Sequence, residues 1–129
     1  MKYILDSSVA FKWVVREADS DKADQLRTEL LSGLHEFHAP DVFSVEVAHA
    51  LTRAERQKRL AVGEASRLIV DVLLTPPTLH VYRSLLLRAT AISSKMRVGV
   101  YDCLYVALAE TEQCELITAD EPLGAYEFR

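Results

Sequence analysis

The apolar positions of this chain fall in short blocks whose period changes repeatedly. Lys2-Tyr3-Ile4-Leu5, closed by Asp6, is too brief for a helix and suits a buried strand. Ser7 or Ser8 can cap a following helix through Val15 by accepting from its free amides. In that helix Val9, Ala10, Phe11, Trp13, Val14 and Val15 leave only Lys12 polar, so its surface needs cover on more than one side, from the core and a partner surface. Ser20 caps a second helix running through Leu26, Leu30 and Leu31 to Gly33, a residue suited to the left-handed position after a helix end. Phe37-His38-Ala39 is a short strand. Pro40 cannot continue it as a central strand and is better placed near a helix start, with Asp41 in the first turn.

Phe43, Val47, Ala50, Leu51 and Ala54 then keep helical spacing, which fades near Arg59. Residues 63–74 form another amphipathic helix, closed by Thr75-Pro76-Pro77, and Leu79-His80-Val81-Tyr82 alternates as a strand. Residues 85–96 and 102–112 are helical, the latter apolar on most sides, and Leu116-Ile117-Thr118 is a final buried strand. Strands alternating with helices predict an α/β fold, a mostly parallel central sheet covered by helices on both faces, because parallel neighbours require crossover connections.

Length and composition narrow the class. The 129 residues suit a single domain, 1–129, and half of them are hydrophobic, enough for a real core. Charged residues at 26%, with four Gly and four Pro, exclude a low-complexity or disordered chain. Asp6 interrupts the start before any apolar run long enough for a signal peptide, and no later segment approaches a membrane span, so a soluble, cytoplasmic protein without membrane contact is expected. Cys103 and Cys114 lack Cys-x-x-Cys spacing or a paired His set; both are expected reduced, and a structural zinc is disfavoured.

Four carboxylates stand against apolar sequence: Asp6 and Asp120 after strands, Glu46 at the edge of a helical stripe, and Asp102 at a helix start. Desolvating a charge costs several kcal/mol, so such acids call for compensation. Open parallel sheets bind ligands outside the carboxyl ends of their strands, which puts Asp6 and Asp120 on one edge if the first and last strands are neighbours. Each acid alone has an ordinary explanation as a turn residue, a helix-dipole partner or, for Glu46, an ion-pair partner of Arg53. Together they form a set that cannot stay bare, since two carboxylates ~4 Å apart repel by roughly 4 kcal/mol at an effective dielectric of ~20. All-oxygen ligands favour Mg2+ or Mn2+. The net charge of −4 seems to exclude nucleic acid, but without these four acids it is −4 + 4 = 0.

In order and spacing, Tyr3-Ile4-Leu5-Asp6-Ser7-Ser8, Val45-Glu46-Val47-Ala48-His49-Ala50-Leu51, Tyr101-Asp102-Cys103-Leu104-Tyr105-Val106-Ala107-Leu108-Ala109 and Leu116-Ile117-Thr118-Ala119-Asp120 resemble the PIN-domain ribonucleases, in particular VapC-like toxins of bacterial toxin-antitoxin pairs. The resemblance covers almost the whole chain. It implies a three-layer α/β/α fold, a Mg2+- or Mn2+-dependent endoribonuclease acting on RNA, a homodimer, and an antitoxin protein that occludes the site. Asp6, Glu46, Asp102 and Asp120 match the family's acidic quartet, as metal ligands and catalytic groups, and Ser7 and Thr118 match its small polar neighbours. The family commonly continues beyond the point corresponding to Phe128-Arg129.

The remaining candidates are weaker. Arg53, Lys95 and Arg97 lie near Glu46 or Asp102 and could contact phosphate, although basic runs are more often solvated helix faces. Phe11, Trp13, Tyr101 and Tyr105 could stack on bases, but aromatics at helical spacing are more often core. His49 is one turn from Glu46; His35, His38 and His80 flank or occupy short strands and carry no assigned chemistry. An aspartyl-phosphate enzyme would want an acid two residues after Asp6, where Ser8 stands. A PIN-like binding or regulatory module without turnover is the alternative function.

Overall fold

A computed structural model describes residues 1–119. Four strands, β1 (Lys2–Leu5), β2 (Glu36–Pro40), β3 (Thr78–His80) and β4 (Glu115–Ile117), form one sheet in the order β3-β2-β1-β4 with every pairing parallel. Six helices connect and cover it: α1 (Ser7–Val14), α2 (Ser20–Leu31), α3 (Phe43–Arg56), α4 (Glu64–Val72), α5 (Leu86–Met96) and α6 (Val100–Glu112). The fold is a three-layer α/β/α arrangement in which helix predominates.

The first and last strands are neighbours, with Tyr3, Ile4 and Leu5 paired to Glu115, Leu116 and Ile117. Ile4, Leu5, Phe37, Ala39 and Leu116 are all buried, which explains why the strands read as short apolar runs without alternation. Helix α6 packs against β1, β2 and β4 and buries every residue from Cys103 to Leu108, so it is the central helix of one layer. Helix α1 is enclosed by α2, α3 and α4, and its Trp13 indole donates to the Ala23 carbonyl at 2.9 Å. Its all-round apolar surface is thus satisfied within the chain.

Several boundaries differ from the sequence reading, each for a local reason. The cap of α1 is Asp6, whose carboxylate accepts from the Ser8 amide at 3.2 Å; the serines are inside the helix. Ser20 is likewise the first residue of α2, and its hydroxyl ties back to the α1 end by accepting from the Glu17 amide at 3.0 Å. Pro40 ends β2 and starts no helix. It lies beyond the last pair with β1, where one absent donor is tolerated. Asp41 then bridges to the next segment: its amide donates to the His80 carbonyl at 2.7 Å and its carboxylate accepts from the Tyr82 amide at 3.0 Å. That bond closes β3 at His80 and turns Tyr82–Leu85 into a 3-10 turn.

Candidate active site

The C-terminal edge of the sheet gathers the site. Asp6 follows β1 directly and is 2% exposed. Its amide donates to the Ile117 carbonyl at 3.0 Å, which fixes it against the end of β4. Its Oδ2 accepts from the Ser8 amide, from the Ser8 hydroxyl and, at 3.0 Å, from the Thr118 hydroxyl. The Ser8 hydroxyl in turn accepts from the Ala119 amide at 3.0 Å. A buried carboxylate is costly unless donors surround it, and here two hydroxyls and an amide do so while fixing its orientation.

Glu46 reaches the same region from the first turn of α3, half-buried, and its Oε1 accepts from the Tyr105 hydroxyl at 2.7 Å. Tyr105 is fully buried in α6. Burial pushes its hydroxyl well above the usual tyrosine range, and the charges of Glu46 and Asp6 push it the same way, so it remains a neutral donor. Both carboxylates therefore act on one phenol. Asp102 is in the first turn of α6, half-buried, three residues before Tyr105 and so on the adjoining part of the same helix face. It raises the neighbouring Cys103 thiol, behind burial as the larger cause. Asp120 lies outside the described residues; Thr118 and Ala119, just before it, are bonded into the Asp6 network.

Beside these acids opens a cleft of about 590 Å3 between α1 and α3. Ser7, Ser8 and Glu46 form part of its wall, and Lys12, Arg53 and Arg59 give it positive charge. Lys12 and Arg59 both approach Glu17, each at 3.7 Å. Lys95 and Arg97 sit elsewhere, in the last turn and at the left-handed cap of α5, outside the lining of the cleft.

The residues least visible in the sequence are Tyr105, Ser8 and Lys12. Tyr105 reads as one aromatic of an apolar helix, and its position three residues after Asp102 is the only signal that it faces the acids. Ser8 reads as a cap, whereas it serves as a donor to the capping carboxylate. Lys12 looks like the lone solvated residue of α1, while in the fold it faces the cleft with Arg53, just over forty residues away.

Asp6, Glu46 and Asp102 offer the oxygen-only donors that a hard divalent cation takes, since such an ion binds through one or two carboxylates and retained water without needing an all-protein cage. The preset orientations of Asp6 and Glu46 are what outer partners provide around such ions. Comparison with known proteins settles the family. A family model for the PIN domain matches residues 3–128. This chain belongs to the PIN-domain family. It is 33% identical over 126 residues to ribonuclease VapC3 of Pyrobaculum aerophilum, covering 96% of this chain and 93% of that protein. It is 34% identical over 121 residues to ribonuclease VapC3 of Mycobacterium tuberculosis, covering 94% and 84%. Among solved structures, PAE2754 from Pyrobaculum aerophilum superposes with a TM-score of 0.70 at 23% identity, covering 98% of this chain and 88% of that one. VapBC2 from Rickettsia felis, bound to a promoter DNA fragment, gives 0.65 at 14% identity, covering 98% and 93%. The two structures agree with this one in fold, and the sequence relatives place the chain in the VapC-like branch of PIN-domain ribonucleases.

Proposed function

We propose that this PIN-domain protein is the toxin of a VapBC-type toxin-antitoxin pair and hydrolyses RNA phosphodiester bonds with Asp6, Glu46, Asp102 and Asp120 as its acidic centre. The single observation that carries the site assignment is that Glu46 holds the buried Tyr105 hydroxyl, one turn from Asp102, beside a cleft whose wall includes the Ser8 that donates to Asp6. Asp6, Glu46 and Asp102 hold Mg2+ or Mn2+, with Asp120 as a further ligand or supporting acid. A bound divalent cation supplies charge for the leaving oxygen and water of lowered pKa.

The chain's own residues do the rest. Ser8 and Thr118 keep Asp6 in one orientation by donating to it, and Tyr105 does the same for Glu46. Ser7, in the wall of the cleft, borders the same centre. Arg53, with Lys12 and Arg59, receives the RNA backbone in the cleft, which explains how a chain of net charge −4 binds a polyanion. Lys95 and Arg97 contact RNA only where it extends toward the α5–α6 link. The antitoxin is a protein that covers this cleft. A homodimer is supported by exposed Leu73, Leu74, Val81 and Leu87, apolar side chains crowded into one short stretch. Among the described residues no helix is long and apolar enough to cross a membrane.

The test is cleavage of a labelled RNA pool by antitoxin-free protein. Activity should require Mg2+ or Mn2+, vanish with EDTA, and vanish in Asp6→Asn while circular dichroism stays native. Folded, metal-supplied protein that cuts no RNA would instead support a binding or regulatory module.

A further inference from the structure

His38, His80 and Glu112 come from β2, β3 and the end of α6, and one ligand-type atom of each lies within 4.8 Å of the others. Asp102 and Glu112 are both on α6, ten residues apart, so about 15 Å of helix separates this cluster from the acidic centre. The sheet makes the cluster. His38 pairs with Thr78 and Pro40 with His80, so His38 and His80 are two positions out of register on one face, and α6 crosses that face from β1 to β2.

The hydrogen bonds fix the tautomers. His38 Nε2 is 2.8 Å from Glu36 Oε1, and an ionised carboxylate can only accept, so Nε2 carries the proton. The lone pair of His38 Nδ1 then points at His80 Nε2, 2.8 Å away. A carboxylate behind one imidazole nitrogen and an open lone pair on the other is the arrangement that orients metal-binding histidines. Glu112 adds a carboxylate, its Oε1 accepting from Lys2 Nζ at 3.0 Å.

From this geometry we infer a second cation site, His38–His80–Glu112, for a borderline-soft divalent ion such as Zn2+. Two imidazoles and one carboxylate favour such an ion over Mg2+. Two nitrogens on one tetrahedral zinc stand about 3.3 Å apart, so the imidazoles open by a few tenths of an ångström as the ion replaces the proton between them. That proton moves to His80 Nδ1 or to solvent. The ion clips β2, β3 and the end of α6 together and competes with Lys2 for Glu112. Cysteine spacing gives no hint of it, because its ligands are far apart in sequence.

The test is titration of the full chain with Co2+, followed by its visible ligand-field absorption, with Zn2+ as competitor and millimolar Mg2+ present throughout. A single saturating equivalent, displaced by Zn2+, is expected. His80→Ala and Glu112→Gln should each weaken binding by about tenfold or more, and Glu36→Gln by about 10- to 100-fold. Lys2→Gln, which removes an exposed competing cation, should tighten it, and Asp6→Asn should leave it unchanged. Absence of saturable absorption, equal binding by folded His80→Ala, no tightening in Lys2→Gln, or loss of binding in Asp6→Asn would each overturn the assignment. None of these readouts depends on RNA cleavage, so the site stands or falls apart from the nuclease reading.

Discussion

Replacing Tyr105 by Phe removes one oxygen from the centre of the site and little else, because the ring is fully buried and keeps its packing. The bonds lost are the 2.7 Å donation to Glu46 Oε1 and a weaker one with the Ser7 hydroxyl. A hydrogen bond to a charged acceptor is worth about 1.5–3 kcal/mol. If Glu46 acts in the reaction only when held in this orientation, most of that energy appears in the barrier, and at about 1.4 kcal/mol per tenfold kcat falls about ten- to hundredfold. Stability changes less, by about 1 kcal/mol, since Glu46 borders the cleft and water can replace the phenol.

A double-mutant cycle on RNA cleavage, with metal saturating, decides it. Tyr105→Phe in a Glu46→Gln background should cost almost nothing further, because the phenol acts through that carboxylate. Equal losses from Tyr105→Phe in both backgrounds would refute the coupling, as would unchanged kcat in the single variant. Alkaline stability gives an independent check. The folded Tyr105 hydroxyl titrates above its ordinary value of 10.0, so between the two pKa values the unfolded chain loses a proton that the native state keeps. Stability is therefore full below about pH 10 and falls as pH rises toward the folded value, and Tyr105→Phe should flatten that fall in urea titrations.

Other consequences are as direct. Arg53→Ala should weaken RNA binding by Asp6→Asn protein across sequences and reduce the salt slope of log K by about 0.7, one single-strand phosphate contact; an unchanged slope places Arg53 outside the RNA path. Arg27 donates to Thr75 at 2.8 Å and to the Asp71 carbonyl and carboxylate at 2.6 and 3.0 Å, and lies 4.8 Å from the Trp13 ring centre. Arg27→Ala should cost about 2–4 kcal/mol in urea unfolding, measured with the Asp6→Asn background as reference. Leu51→Ala opens a cavity under α3 and should cost about 2–5 kcal/mol, with a loss of cleavage no larger than the unfolded fraction explains. Glu36 and Glu112 titrate below the ordinary 4.5, held there first by bonds to His38 and Lys2. Their contribution is present above that value and lost as pH falls through the lowered ones, and Lys2→Gln should flatten the acid limb of the unfolding curve.

Hydrophobic period located nearly every element here because most segments bury a single kind of face. It failed where backbone bonding overrode side-chain pattern. Leu79-His80-Val81-Tyr82 alternates as a strand should, yet β3 stops at His80, because Asp41 takes the Tyr82 amide that a continuing ladder would have used. Pro40 looks like a helix opener, and the same Asp41 bridge holds it as the end of β2. The serine cap expected at α1, Ser7 or Ser8, falls one or two positions late because Asp6, read as chemistry alone, also caps the helix.

The candidate site was legible to the extent that its residues broke a local pattern. Asp6, Glu46 and Asp102 interrupt apolar sequence and announce themselves, and the neighbouring β1 and β4 supply the edge they require. Tyr105 breaks nothing: a core helix tolerates a phenol wherever its hydroxyl finds an acceptor, and the acceptor comes from a helix 59 residues earlier. His38 and His80 are hidden for the same reason, since a strand residue's partner across a parallel ladder is set by crossover length and register, neither of which a single strand's composition encodes. A residue whose role is to orient another is therefore the hardest to read from sequence, because burial removes its contrast with the core while its function resides in a bond to a distant segment.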